Sequence, residues 1–263
     1  MNSKLAACAA FTGVSLCAFS LALAANASFV GNWKFNPEKS QLNGLTYKVE
    51  DAGGGQYTFV FGDDKEILGF DGKEHTTKYG NTWSITKTAP NTWHWVTKRN
   101  GKLVNDATWT VADDGATSAY VSTETRPDGS TSRDETQLKR TAGNNSGGLV
   151  GTWESTTIKI GSPTTFEIAK WEDGYSMKNP TYKGQMNFKL DGKDYTPKGP
   201  RVAKGTTVSA KAMGADQMEL TYKLKGKTTE TDLWEVSADG KTLTDTVTYP
   251  GESKKEVDIF DRQ

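Results

Sequence analysis

Cysteine occurs in this chain only at Cys8 and Cys17, inside an opening stretch that reads as removable. Lys4 gives a short positive start, Leu5 to Leu23 is nearly all apolar or small, and Ala25-Asn26-Ala27 supplies the small-residue pattern at which signal peptides are cut. Residues 1–27 are therefore predicted to be a secretory signal peptide, with the mature chain starting at Ser28. Without cysteine, that chain has no disulfide, no thiol nucleophile and no thiolate ligand for zinc. No later run approaches the roughly 20 apolar residues of a membrane-spanning helix. A secreted or periplasmic protein with no membrane span is expected.

An excess of one charge is also lacking. Lys and Arg together number 32, as do Asp and Glu; removal of Lys4 leaves 31 basic residues. That balance argues against a dedicated nucleic-acid or anionic-membrane binder, which concentrates positive charge. Histidine is scarce. His75 stands near Asp71 and Glu74, as an acid–base pair would require, yet a polar residue entering a strand after a turn explains it as well. His94 lies between Trp93 and Trp95, and alternation sets it on the face opposite both indoles. No Gly-x-Ser-x-Gly elbow, phosphate loop, dinucleotide fingerprint or His-Glu-x-x-His is present. The pairs Asp63-Asp64 and Asp113-Asp114 lack the alternating oxygen ligands of a calcium loop and suit hairpin turns. No catalytic residue, metal ligand set or cofactor is predicted.

What the chain does have is a repeat. Gly31-Asn32-Trp33 matches Gly151-Thr152-Trp153, and Asp71-Gly72-Lys73 matches Asp191-Gly192-Lys193. Trp109 then matches Trp234, Asp114-Gly115 matches Asp239-Gly240, and Leu138-Lys139-Arg140 matches Phe260-Asp261-Arg262. Two copies follow, residues 28–140 and 149–263, joined by a small, polar, glycine-rich linker at 141–148. Within each copy apolar residues recur at every second position, as in Tyr57, Phe59 and Phe61 or Met218, Leu220 and Tyr222, which is the period of a half-buried strand. Asp-Gly, Asn-Gly and Pro-Gly pairs between these runs suit tight hairpins. The prediction is an all-β chain of two tandem up-and-down antiparallel barrels, because closure removes the exposed edges of an open meander.

Gly-x-Trp on the first strand, with arginine on the last, resembles the lipocalin and calycin pattern. The opening Gly31 to Ser40 and the Phe70 to His75 segment are similar to bacterial secreted lipocalin-like domains. The resemblance implies that tryptophan closes each barrel floor with arginine across it. Trp33 is accordingly expected against Arg140, and Trp153 against Arg262, each stacked pair contributing roughly 1 to 2 kcal/mol when partly desolvated.

Aromatic side chains concentrate in the first copy. Trp83, Trp93 and Trp95, with Tyr57, Phe59 and His94, are the candidate ligand-binding residues. They line an apolar cavity if those faces point inward, or fill a solid core. The functional expectation is an exported noncatalytic binder of a small hydrophobic or amphiphilic molecule. An isomerase, cyclase or hydrolase working in the barrel, or a structural envelope protein, are the alternatives.

Overall fold

A computed structural model describes residues 27–144 and 148–263. The segment expected as a signal peptide, 1–27, lies outside the described residues except for Ala27, which opens a short 3-10 turn, Ala27–Phe29. The rest forms two ten-stranded antiparallel sheets, each curled into a nearly closed barrel.

The first barrel runs in space β4 (Asp64–Gly69), β3 (Gln56–Phe61), β2 (Thr46–Gly53), β11 (Gly151–Lys159), β10 (Thr131–Ala142), β9 (Thr117–Thr125), β8 (Lys102–Val111), β7 (Thr92–Arg99), β6 (Asn81–Ala89) and β5 (His75–Thr76). The second runs β14 (Gly184–Phe188), β13 (Gly174–Asn179), β12 (Thr165–Trp171), β1 (Gly31–Phe35), β20 (Glu256–Arg262), β19 (Thr242–Thr248), β18 (Lys227–Val236), β17 (Gln217–Leu224), β16 (Thr206–Ala212) and β15 (Asp191–Tyr195). All but three of the neighbouring pairs follow chain order, the exceptions being β12–β1, β1–β20 and β2–β11. The first strands of the copies have exchanged places: β11 lies between β2 and β10, and β1 lies between β12 and β20.

The exchange corrects the expected floor pairs. Trp33 sits opposite Arg262, and Trp153 opposite Arg140. Each guanidinium lies 4.1 Å from the centroid of its indole. The contact type is the expected one; the partners are reversed. The two Gly-x-Trp strands are chemically equivalent, so either fits either floor. The 143–150 connection brings β11 back beside β10, while β1 pairs with β20 at the far end of the chain.

As a result, 141–148 does not carry the chain between barrels. The crossings are 36–45, from β1 to β2, and 160–164, from β11 to β12. Both are tied down. Gln41 exchanges backbone hydrogen bonds with Val257 of the second barrel at 2.8 and 3.0 Å, while Gly44 and Leu45 donate to the buried Ser155 hydroxyl of the first at 3.0 and 3.1 Å. On the other crossing, Gly161 donates to Asp134 and Ser162 to Ser132.

Direct contacts add to the junction. The Asp63 amide donates to Pro250 O at 2.8 Å. Glu124 of the first barrel receives Tyr182 Oη at 2.9 Å and Arg201 Nη1 at 3.1 Å from the second. Arg99 Nη2 donates to Val202 O at 2.7 Å.

Candidate functional site

Each barrel floor is solid. Trp33 and Trp153 have no exposed surface, and each indole N–H donates to the carbonyl four residues earlier, Phe29 or Leu149. Arg262 donates from Nη1 to Val30 O at 2.6 Å, from Nη2 to Ser28 O at 2.5 Å and from Nε to Gly240 O. Arg140 repeats the set with Val150, Gly148 and Gly115. The repeated motif pieces thus form one device: the Asp-Gly turn supplies a carbonyl, and the Gly of Gly-x-Trp supplies room. A Cβ on Gly31 or Gly151 would collide with the guanidinium, and both glycines hold positive φ, 153° and 147°.

Above its floor the first barrel is hollow. A cavity of about 360 Å³ is walled by Phe59, Trp83, Trp95, Trp109 and Leu138, with Tyr47, Phe61, Thr97, Tyr120 and Thr136 completing it. The rings meet edge to face, Phe59 to Trp95 at 4.9 Å and Trp83 to Trp95 at 5.0 Å. Such contacts hold the rings in place without a ligand. Asn105 donates to Tyr120 Oη at 3.1 Å, and burial pushes the Tyr120 phenol up to about 12. Burial does the same to Tyr47, helped by Glu256 and Glu252 of the second barrel. No carboxyl or imidazole is among the lining groups.

The sequence candidates divide. Phe59, Trp83 and Trp95 line the cavity. Trp93 is buried in the core beside it, cross-strand from Trp109, and Tyr57 stacks on Phe70 at 4.2 Å. His94 points away, hydrogen-bonded through Nε2 to Asp106 at 3.0 Å. His75 engages Asp71 at 2.8 Å on the outside, and that contact is the largest influence holding the Asp71 carboxyl below its usual range.

The second barrel has a different interior. On β18, β19 and β20 the inward positions above Trp234 and Phe260 carry Glu230, Asp232, Asp245, Glu256 and Asp258. Asp232 and Asp245 are 5% and 6% exposed, and each has a buried carboxyl oxygen with no hydrogen-bond partner, as has Asp258. Burial, reinforced by the neighbouring carboxylates, pushes Asp245 and Glu256 up to about 8. Burial is also the main cause for Asp258, up to about 6, and for Asp232, well above the carboxylate range. The Trp234 N–H faces Asp245 and partly opposes its shift, without closing a full hydrogen bond.

Glu230, Tyr222 and Tyr249 line a second cavity, of about 400 Å³, between the barrels. Phe61 lines both cavities and meets the Tyr249 ring at 5.0 Å. Sequence reasoning passed over this acidic interior, although a signal existed: Glu256, Asp258 and Phe260 share the parity of Arg262, whose inward direction was expected. Among the described residues, no group of three or more His, Cys, Asp or Glu is arranged to hold a metal ion, and no helix is long and apolar enough to cross a membrane.

The fold and site define a double β-barrel with one aromatic and one acidic interior. Comparison with protein-family models, curated proteins and solved structures finds no match to this chain.

Proposed function

We propose that this protein is an exported, noncatalytic, lipocalin-like binder of a small apolar or amphiphilic molecule, held in the aromatic cavity of the first barrel. The observation that carries the reading is the cavity itself: about 360 Å³ walled by Phe59, Trp83, Trp95 and Trp109. Ligand sites commonly occupy roughly 300 to 1,000 Å³, with apolar walls and a few polar groups that fix orientation. Thr97, Thr136 and the Tyr120 hydroxyl are those groups here. Export rests on the signal-like opening at Lys4 to Ala27.

The test is titration of the full chain with the naphthylamine probe N-phenyl-1-naphthylamine, following tryptophan fluorescence and native mass. A 1:1 adduct with quenched indole emission is expected. Thr136→Phe, which fills the cavity, is expected to weaken binding at least tenfold while leaving circular dichroism unchanged. Binding undiminished in that variant, or no binding across a lipid and pigment panel, refutes the reading.

A barrel enzyme is a second reading, favoured by the raised carboxyls of the second barrel. A carboxylic acid protonated near neutral pH beside an ionised one suits general acid–base work. Turnover of a bound small molecule that is lost in Glu256→Gln would select it.

A further inference from the structure

We propose that the acidic interior of the second barrel, entered from the cavity between the barrels, is a binding site for the protonated amine of a small organic ammonium compound. The site is separate from the aromatic cavity and does not depend on what occupies it. Three observations meet here.

The first is unmet hydrogen-bonding capacity. Asp232 and Asp245 are more than nine-tenths buried, face the barrel interior and each leave a carboxyl oxygen without a partner. Buried polar groups are ordinarily paired, since one left unmet has given up its water without a replacement. Once ionised, a carboxylate only accepts and is satisfied by N–H donors, which a primary or secondary ammonium carries and a quaternary one does not.

The second is charge. No lysine or arginine is among the charges acting on Glu230, Asp232, Asp245, Glu256 or Asp258, whose neighbours are one another. Of the cations at the mouth, Lys78 pairs with Asp64 and Lys227 Nζ lies 3.4 Å from Asp63 O, while Lys225 also lines the cavity. A bound cation would let buried carboxyls ionise together, which they resist in its absence.

The third is shape and lining. The cavity of about 400 Å³ is lined by Glu230, the one of the five acids that reaches it, together with Tyr222, Tyr249 and Phe61. Aromatic faces attract a cation and cover its apolar substituent. The donor groups are not arranged to hold a metal ion, which leaves an organic cation.

Because ammonium binding competes with protonation of these carboxyls, affinity rises with pH across their titration. Groups facing them are Tyr222 from β17, Tyr249 after β19 and Tyr47 from β2, with Glu252 and the mouth residues Asp63, Lys78, Tyr79, Lys225 and Lys227 farther out. The tyrosines stay neutral over that range, held up chiefly by burial.

The experiment is calorimetry of the full mature chain with 2-phenylethylammonium, its neutral analogue 2-phenylethanol and calcium chloride, at pH 5 and pH 8. Expected are binding of the ammonium at pH 8, at least tenfold weaker binding at pH 5, a buffer-dependent heat from released protons, and no binding of the alcohol. Asp245→Asn and Glu256→Gln, verified as folded by their melting transitions, are expected to lose at least tenfold. Thr136→Phe is expected to bind the ammonium normally, which separates this site from the aromatic cavity. Equal binding of the alcohol, ammonium affinity unchanged in both carboxyl variants, displacement by calcium, or no ammonium binding overturns the proposal.

Discussion

At the scale of single residues, the floor arginines do more than stack. Arg262 covers the Trp33 ring and donates to three carbonyls, those of Ser28, Val30 and Gly240. A lysine can replace the charge but not the planar fork. Arg262→Lys is therefore expected to cost about 2 to 3 kcal/mol, since hydrogen bonds from a charged group are worth about 1.5 to 3 each and part of that loss is recovered. The check is a thermal melt, where a drop of roughly 4 to 12 °C is expected at about 2 to 4 °C per kcal/mol for chains this long. Gly31→Ala is expected to cost at least as much, because the added methyl meets the guanidinium at a backbone angle of +153°. A melt unchanged in both variants refutes the floor device. Both members of this device were legible from repeated Gly-x-Trp and terminal arginine. Which Trp meets which Arg was not, because identical motifs carry no information about pairing.

At the scale of elements, alternation explains β17 as an apolar inward stripe but by itself leaves open which way the acids of β18 to β20 face. Glu230, Asp232, Asp245, Glu256 and Asp258 lie on the inner faces. Periodicity identifies two faces and relies on polarity to say which is inner, so a barrel with an acidic lumen misleads that choice. Trp234 and Arg262, on the same faces as the acids, were the correcting signal. The consequence is a pH dependence opposite to that of paired surface carboxylates. A carboxyl raised in the folded state favours folding below its unfolded value near 4, and that contribution is lost as pH rises through about 8 for Asp245 and Glu256. The chain is thus expected to melt at a higher temperature at pH 5 than at pH 8. Asp245→Asn, which removes the ionisation, is expected to raise stability at pH 8 by about 1 to 3 kcal/mol and to flatten the profile. Greater stability at pH 8, or no effect of the substitution there, would contradict the acidic interior.

At the scale of the whole molecule, the exchange of β1 and β11 turns two similar barrels into an interlocked pair. Each barrel is closed by a strand from the other copy: β1 fills the gap between β12 and β20, and β11 fills that between β2 and β10. Two barrels in a row were legible from the repeat; their entanglement was not, because two equivalent Gly-x-Trp strands carry no information about which barrel each one closes. The two arrangements differ in what a single cut releases. A protease site inserted after Asn144 separates the copies at the segment expected to link them. Without exchange, cleavage there would free two closed barrels of about half the mass. With exchange, the N-terminal piece still threads β1 into the second barrel and the C-terminal piece still threads β11 into the first. Separation then requires withdrawing Trp33 and Trp153 from sealed floors, with large buried areas lost at both. The nicked protein is expected to elute at the size of the intact chain and to separate only on unfolding in denaturant. To set aside the contacts of Glu124 with Tyr182 and Arg201, the same measurement in Glu124→Ala at high salt is expected to give the intact size again. Half-size species in native buffer would show that the barrels close on their own strands.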